Sequence, residues 1–252
     1  VSAELAALIV EAQALAAQGD YLFDPGIGAL VKLWGFHDEA FKPQLPDAEK
    51  LAALRQAKPS IAALRVDGWK VTGTNRAVAL DFGGYLKGVA LDRAAAIMKA
   101  HGIANALINI GGNVLALGAK GSAPWRVGIQ HPRRSEPLAT LELRDGEAIG
   151  TSGDYQRYFE LDGRRYSHLI DPRTAEPAVG TQALTVLIPP REKAGLWSDV
   201  ASKPLFVAGD DWQRLATKLG IAQVLRVDGA GRVEVTATLL GRLQFVATEE
   251  KK

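Results

Sequence analysis

The chain has 252 residues, of which 47% are hydrophobic and 23% charged, and its formal net charge is +2. These proportions are those of an ordinary globular protein with enough length to bury a substantial core. The small net charge and the lack of Lys/Arg blocks give no reason to expect nucleic acid as a partner. The absence of cysteine excludes disulfides, thiol catalysis and cysteine-ligated metals. No apolar run is as long as a membrane span, and the first residues do not resemble a signal peptide.

The first third of the sequence carries helix signals followed by strand signals. Apolar spacing and capping residues predict helices over residues 3–18, 25–34 and 47–56. Ser2 is the predicted N-cap of the first helix, while Asp24 as cap and Pro25 in the first turn open the second. Strand-like runs follow at 61–66, 69–72 and 77–80. Asp67-Gly68 joins the first two of these runs and predicts a tight hairpin.

The stretch from Asp81 to Arg93 is the one around which the remaining motifs are arranged. A strand-like run ends at Asp81, two glycines follow, and helical spacing begins at Leu86. Such a turn leaves free backbone N–H groups at the positive end of a helix dipole, which is a ready site for phosphate. Lys87 would add a positive charge there, and Asp81 a carboxylate suited to a hydroxyl or a metal. Equally, the glycines could only let the helix cross a sheet closely, with Lys87 in water; the residues alone leave both interpretations open.

The second half of the chain is richer in strand signals. Strands are predicted at 104–110, 114–117, 125–130, 138–143, 147–149, 155–161, 165–170, 183–188, 223–227 and 232–235. Helices are predicted over 192–208 and 212–219, and Pro204 should kink or break the first of these. The Glu/Lys tail after Thr248 is predicted to fray. No linker or repeat divides the sequence, so we predict one α+β domain over residues 1–252, with a mostly antiparallel sheet flanked by helices.

Three further segments contain residues that could carry chemistry. Residues 150–155 join two strands through glycines and hydroxyls, a pattern that is more often a plain turn than a site. His168, Asp171 and Arg173 lie within six residues and could act as base, hydroxyl or metal partner, and phosphate clamp. A single histidine near a strand end is more often structural. Asp199 is a charged residue among apolar neighbours on the late helix, and its plain interpretation is a solvent-facing side chain.

Several common nucleotide and hydrolase motifs are missing. The sequence contains no Walker A loop, no complete dinucleotide-binding glycine pattern and no G-x-S-x-G nucleophile elbow. The corresponding folds are therefore disfavoured.

The ordered set of motifs resembles the FAD:protein FMN transferases, known as the ApbE family. The matching stretches are 23–25 (FDP), 33–36 (LWGF), 81–88 (DFGGYLKG), 109–112 (NIGG), 125–129 (WRVGI), 151–155 (TSGDY), 168–174 (HLIDPRT), 198–199 (SD) and 205–209 (LFVAG). Each stretch is a weak signal alone, but together they keep the family's order over nearly the whole chain.

The resemblance implies an enzyme that binds FAD and Mg²⁺, cleaves the pyrophosphate and transfers FMN to a Thr or Ser hydroxyl of a protein acceptor, with release of AMP. It implies acceptors that are subunits of membrane redox complexes, and a location in the periplasm or at the outer face of the inner membrane. By position, Asp199 and the backbone carbonyl of Leu86 would bind the metal, and His168 and Asp171 would lie at the reacting phosphate. The residues expected to line the nucleotide cleft are Asp24, Asp81, Gly84, Lys87, Gly112, Ser152 and Arg173.

The sequence departs from the family pattern in three places. The family's N-terminal strand, with its Met-Gly-Thr segment, and the following helix precede anything present here, so part of the FAD pocket is expected to be missing. Lys203 stands four residues after Asp199, where Thr, Ser or Ala is usual, so its ammonium either points away or replaces some of the metal's charge. Ala175 replaces a glycine, at little cost unless φ is positive there. Two alternatives to transfer therefore stay open: an FAD-binding protein without efficient transfer, and an FAD hydrolase giving FMN and AMP.

Overall fold

The computed structural model describes residues 1–38 and 42–246. Its helices are α1 (Ala3–Gln18), α2 (Gly28–Leu33), α3 (Ala48–Ala57), α4 (Leu86–Ala100), α5 (Ala194–Val207), α6 (Trp212–Leu219) and α7 (Ala237–Leu240). Short 3₁₀ segments lie at Ile61–Ala63 and Gly209–Asp211. Within the described ranges, no helix combines the length and the apolar character needed to cross a membrane.

The strands occupy the middle and the C-terminal part of the chain. They are β1 (Leu64–Asp67), β2 (Lys70–Gly73), β3 (Ala106–Ile110), β4 (Asn113–Leu117), β5 (Trp125–Gln130), β6 (Pro137–Leu143), β7 (Ala148–Gly153), β8 (Tyr158–Leu161), β9 (Arg164–Ser167), β10 (Ile170–Asp171), β11 (Glu176–Pro177), β12 (Thr181–Ile188), β13 (Val224–Asp228), β14 (Val233–Val235) and β15 (Leu243–Phe245).

A six-stranded sheet in the order β14-β13-β12-β7-β4-β3 forms the centre of the fold. Each neighbouring pair in it is antiparallel. A three-stranded antiparallel sheet in the order β15-β6-β5 packs beside it, and β1-β2, β8-β9 and β10-β11 form separate antiparallel pairs. The predicted α+β fold with a mostly antiparallel sheet is therefore confirmed.

Strand β12 shows how the sequence divides the core into two layers. Successive side chains of a strand point to opposite faces of the sheet. Leu184 and Val186 pack with the residues of α4, α5 and α6 on one face. Ala183 and Leu187 pack on the other face with the three-stranded sheet, against residues such as Leu141. The central sheet is thus covered by helices on one side and by a second sheet on the other.

Helix α5 is buried along almost its whole length because it lies between the central sheet and α4. A helix that is apolar all round belongs in the interior of a protein. Pro204 was predicted to kink or break this helix. It does not break the helix, since α5 continues to Val207. Packing on all sides outweighs the one backbone hydrogen bond that proline removes. The same helix carries Asp199, which is fully buried.

Several local predictions are confirmed by the hydrogen bonds that cap or close the elements. The Ser2 hydroxyl accepts a hydrogen bond from the Leu5 N–H (3.1 Å) at the start of α1. Asp47, predicted as the first helical residue, is instead the N-cap of α3, where its carboxylate accepts one from the Lys50 N–H (2.9 Å). The β1-β2 hairpin closes over the predicted Asp67-Gly68 turn.

The region around Asp24 differs from its prediction. Helix α2 begins at Gly28, and Asp24 does not cap it. The Asp24 Oδ1 atom instead accepts hydrogen bonds from the N–H groups of Gly26 (2.7 Å) and Ile61 (2.8 Å). A Cβ atom at position 26 would overlap the Ile61 backbone nitrogen, so only glycine allows the two segments to approach this closely. The carboxylate therefore ties two loops together.

Other predicted elements need smaller corrections. Residues 77–80 do not form a strand; Ala79 makes only an isolated parallel bridge with Ile27. The predicted strand at 61–66 is divided between the 3₁₀ turn Ile61–Ala63 and β1. The predicted fraying after Thr248 lies outside the described residues. Ala175 has φ +62°, a left-handed conformation that costs a non-glycine residue roughly 1–2 kcal/mol, so its replacement of glycine is not free of cost.

Candidate functional site

A cavity of about 330 Å³ opens where the turn before α4, the end of β7, the β9–β10 junction and α5 meet. Segments that are far apart in the sequence contribute to its walls, from Leu22 near the N-terminus to Val207 at the end of α5. Six of the residues predicted for the site line it: Asp24, Asp81, Gly84, Lys87, Ser152 and His168. Lys203, the unexplained departure from the family pattern, also lines it.

The turn before α4 is held by two hydrogen bonds from its own side chains. The Asp81 Oδ1 atom accepts a hydrogen bond from the Gly83 N–H (2.7 Å). The Lys87 ammonium donates to the Gly83 carbonyl (2.8 Å), so this lysine folds back over the turn instead of extending into water. The turn-to-helix prediction is confirmed, with the helix starting at Leu86. Lys87 lines the cavity, so it does not simply extend into water, as one of the two open interpretations had it.

Asp199 lies behind this cavity and is fully buried, so the plain interpretation of a solvent-facing carboxylate is wrong. Its Oδ2 atom accepts a hydrogen bond from the Gly88 N–H (3.1 Å) in the first turn of α4. Its Oδ1 atom is 2.6 Å from the Lys203 ammonium and 3.4 Å from that of Lys87. Burial alone would raise the pKa of Asp199, but the two lysines outweigh burial and hold this pKa below its ordinary value. Asp199 is therefore a buried anion between two cations.

Lys203 points at Asp199 and not away from it. Its ammonium donates to the Asp199 carboxylate (2.6 Å) and to the Asp199 backbone carbonyl (2.7 Å). Burial lowers the pKa of Lys203; the charge of Asp199 opposes this shift, and that of Lys87 adds to it.

The oxygen atoms around Asp199 fit the implied Mg²⁺ poorly. Mg²⁺ requires oxygen ligands at about 2.0–2.1 Å, but ammonium nitrogens already contact Asp199 Oδ1. An ammonium group has no lone pair with which to bind a metal. Leu86, the other implied ligand, opens α4 and is not among the residues that line the cavity. Across residues 1–38 and 42–246, no three His, Cys, Asp or Glu side chains cluster in a way that could hold a metal.

His168 lines the cavity, and a backbone carbonyl fixes the orientation of its ring. Its Nδ1 atom is 3.1 Å from the Arg157 carbonyl oxygen. Since a carbonyl can only accept, Nδ1 carries the proton and Nε2 is left as an acceptor. Burial lowers the pKa of His168 to about 4, and the charges of Arg157, Lys203 and Lys87 act in the same direction. The ring is therefore neutral at physiological pH and able to accept a hydrogen bond.

Small polar residues on β7 and in the Gly111-Gly112 turn complete the walls. The Ser152 hydroxyl shares a hydrogen bond with that of Ser202 on α5 (2.8 Å). The Gly112 N–H donates to the Asn109 side-chain oxygen (3.0 Å), and its φ of +90° suits glycine. Gly112 itself does not line the cavity, whereas Gly111 does. The predicted turn is confirmed, and its first glycine is the one beside the cavity.

Asp171 and Arg173 lie outside the residues that line the cavity. The Asp171 carboxylate accepts hydrogen bonds from the Arg173 N–H (2.9 Å), Nε (3.0 Å) and Nη2 (2.8 Å). Arg173 Nη2 also donates to the carbonyl of Val207 at the end of α5 (3.1 Å). These positions do not support the predicted roles of Asp171 at the reacting phosphate and of Arg173 in the cleft. The pair instead joins a turn to the end of a helix.

Asp24 lines the cavity while its Oδ1 atom is engaged by two backbone N–H groups. Burial raises its pKa above the ordinary value, although hydrogen bonds from Ser60, Ile61 and Gly26 oppose the shift. The carboxylate is thus held in one orientation beside the cleft.

Sequence reasoning missed several residues that line the cavity, among them Phe36, Asn113, Gln156 and Arg157. Asn113 is buried and its Nδ2 group has no hydrogen-bond partner among the described residues. Its position directly after Gly111-Gly112, at the start of β4, was the available signal. No sequence signal marked Arg157, because only the tertiary fold brings it beside His168.

The fold is an α+β core whose cavity is lined by two lysines, a glycine turn at a helix N-terminus and a histidine, residue types that can bind a phosphate group. A model of the ApbE family matches residues 1–225, and the chain belongs to this family.

Known relatives agree with this assignment. The chain is 41% identical to an FAD:protein FMN transferase of Rhodobacter capsulatus over 96% of this chain and 46% of the relative. It is 32% identical to one of Vibrio cholerae over 84% of this chain and 63% of the relative. The chain thus spans about half to two thirds of these relatives. The crystal structure of the ApbE protein of Thermotoga maritima superposes with a TM-score of 0.87 at 32% identity, over 96% of this chain and 78% of that one.

Proposed function

We propose that this chain binds FAD in the cavity and transfers FMN from it to a hydroxyl of a protein acceptor, releasing AMP. The observation that carries the proposal is that Lys87, Lys203 and His168 line the same cavity at the N-terminus of α4. Two cations suit a pyrophosphate, and a neutral imidazole suits a hydroxyl. The relatives named FAD:protein FMN transferases support this choice of ligand.

The transfer exchanges one phosphorus–oxygen bond for another. The acceptor hydroxyl oxygen forms a bond to the flavin-side phosphorus, and the bond from that phosphorus to the bridging oxygen breaks. AMP leaves with the electron pair of that bond, the proton of the hydroxyl passes to the departing phosphate or to water, and nothing is oxidised or reduced. Lys87 and Lys203 place positive charge where negative charge develops. His168 Nε2 accepts a hydrogen bond from the hydroxyl and aligns it.

The family resemblance also implies Mg²⁺, with Asp199 and the Leu86 carbonyl as ligands. The arrangement around Asp199 does not favour a metal there, because Lys203 donates to the same carboxylate. The proposed steps for this chain therefore use only its own side chains.

The acceptor and the location follow from the resemblance alone. We propose a Thr or Ser of a flavin-carrying subunit of a membrane redox complex as the acceptor, with the reaction in the periplasm or at the outer face of the inner membrane. Fractionation of cells that express the natural protein with a C-terminal tag tests the location. Recovery of the tag only with cytoplasmic proteins would contradict it.

Mass spectrometry of an acceptor incubated with the protein, FAD and Mg²⁺ tests the function. A mass gain of one FMN on the acceptor, together with AMP in solution, is the expected result. The matched control is the same acceptor with its Thr replaced by Ala, which should stay unmodified. Free FMN and AMP without labelling would identify a hydrolase, and bound, intact FAD would identify a binding protein.

A further inference from the structure

The clearest unassigned feature of the site is the ion pair inside it. The Lys203 ammonium has three N–H donors. Two of them go to Asp199, one to its side chain and one to its backbone carbonyl. Among the described residues this leaves one donor for a ligand in the cavity that Lys203 lines. Lys203 is thus held by Asp199 and can still donate a hydrogen bond to a ligand.

Two glycines make room for the two lysine side chains. A Cβ atom at position 84 would lie 2.7 Å from Lys203 Cδ and overlap Cε. A Cβ atom at position 111 would lie 2.9 Å from Lys87 Cδ, and Gly111 also has φ +59°. Carbon atoms do not approach this closely without a shift. The aliphatic parts of the two lysines therefore pass over the turns at the two glycines, where no side chain blocks them. This close fit indicates a specific arrangement and not a chance surface contact.

Asp199 holds both ammonium groups in place. Its Oδ1 atom contacts Lys203 at 2.6 Å and Lys87 at 3.4 Å, while its other oxygen is bonded to the Gly88 N–H. Because the carboxylate is fully buried, solvent does not screen these contacts as it screens surface pairs. These three groups together carry a net positive charge, while Asp24, Asp81 and Arg157 also line the cavity and add charges of both signs.

We propose that Lys203 takes the place of a divalent cation in this chain, so that Lys203 and Lys87 bind the pyrophosphate of FAD without a metal. The inference rests on the proposed function and deepens it by naming what neutralises the substrate's charge. An ammonium is a compact point charge with rotatable donors and suits phosphate oxygens. Its fixed position on Asp199 avoids reorganisation when the ligand binds.

Titration of the protein alone with Mg²⁺ tests the replacement without any dependence on FAD. By isothermal calorimetry, the unmodified protein should show no binding of Mg²⁺ at this site. Lys203→Thr removes the ammonium and supplies an oxygen, so this variant should gain a binding isotherm. Mg²⁺ binding by the unmodified protein that Asp199→Asn abolishes would overturn the inference, and so would a folded Lys203→Thr variant that gains none.

FAD titration in Mg²⁺ and in EDTA tests the clamp. The unmodified protein should bind FAD within about twofold under both conditions, and Lys203→Met should bind it at least about tenfold more weakly in both. Lys218→Met, at a surface lysine paired with Asp20, is the matched control and should bind like the unmodified protein. Binding that requires Mg²⁺, or a Lys203→Met variant with normal affinity, would overturn the clamp while leaving the proposed function in place. Absence of FAD binding under both conditions would instead overturn the proposed function, and the inference with it.

Discussion

Two aspartate–cation pairs involve helix α5, one in its middle and one at its end. Asp199 and Lys203 form the first, and both residues belong to the helix itself. Asp171 and Arg173 form the second, in which the arginine reaches the carbonyl of Val207 from a neighbouring turn. The chemistry of the pairs is similar, and both aspartates are buried. Their surroundings differ, because only the first pair has its cation in the cavity wall.

The two pairs have similar composition but different positions, so their positions suggest their roles. Arg173 is bonded to Asp171 and to the end of α5, and 58% of its side chain is exposed to solvent. Lys203 is only 14% exposed and keeps a donor toward the cavity. We therefore expect substitutions in the first pair to change ligand binding, and substitutions in the second to change stability alone.

The largest expected effect belongs to Asp199→Asn. Removing one partner of a buried ion pair leaves an uncompensated charge, which typically costs 3–5 kcal/mol. We expect a loss of about 3 kcal/mol in the free energy of unfolding, measured by urea denaturation, because Lys203 and Lys87 lose their common anion. FAD binding should weaken as well. A variant with unchanged stability would show that the two ammonium groups are solvated, and the contrast between the pairs would then disappear.

Gly84→Ala should affect the first pair without removing either partner. The added methyl group would collide with the Lys203 stem, and a flexible side chain can move aside. We expect FAD affinity to fall by about tenfold, because the ammonium leaves its position, and the melting temperature to fall less than in Asp199→Asn, because Lys87 stays beside the carboxylate. Gly241→Ala is the control, since a Cβ atom at that position meets nothing within 4 Å. Normal FAD affinity in Gly84→Ala would show that the lysine's exact position is not needed.

Asp171→Asn should have the opposite profile. The substitution keeps an oxygen for the Arg173 N–H but weakens the hydrogen bonds to the guanidinium. We expect a stability loss of about 1–2 kcal/mol by urea denaturation and unchanged FAD affinity. A stable variant that no longer transfers FMN would restore the sequence-based prediction that Asp171 acts at the phosphate.

Features that depend on neighbouring residues were predictable from the sequence. Ser2 caps its helix because capping requires only a side-chain oxygen and an N–H three residues later. The Asp67-Gly68 turn and the start of α4 at Leu86 likewise depend on local backbone preferences. Asp24 shows the limit, because its partner at Ile61 is distant in sequence.

Features of the site that depend on packing between elements were only partly predictable. Residues four apart on a helix share a face, and the contact of Lys203 with Asp199 is inconsistent with the alternative in which the lysine points away. That the lysine also reaches the cavity depends on how closely α4 approaches α5 at Gly88. Arg157 and Asn113 enter the cavity wall from other elements. No local pattern gives such positions.

The smallest expected effect concerns His168, whose pKa is lowered in part by the charge of Lys203 in the first pair. Burial and nearby cations lower the pKa of His168 to about 4 in the folded chain, from an ordinary value of 6.5. His168 therefore takes up a proton below pH 6.5 in the unfolded chain, but only below about pH 4 in the folded chain. Stability should accordingly fall as the pH is lowered through this window.

His168→Gln should remove this part of the pH dependence, because glutamine does not titrate. Comparing urea denaturation at about pH 7 and about pH 5, we expect the unmodified protein to lose about 1–2 kcal/mol more than the variant. His101→Gln, at an exposed histidine, is the matched control and should behave like the unmodified protein. Equal pH dependence in all three proteins would mean that the pKa of His168 is the same in the folded and the unfolded chain. The imidazole would then be partly protonated near neutral pH, which would weaken its proposed role as the neutral acceptor that aligns the hydroxyl.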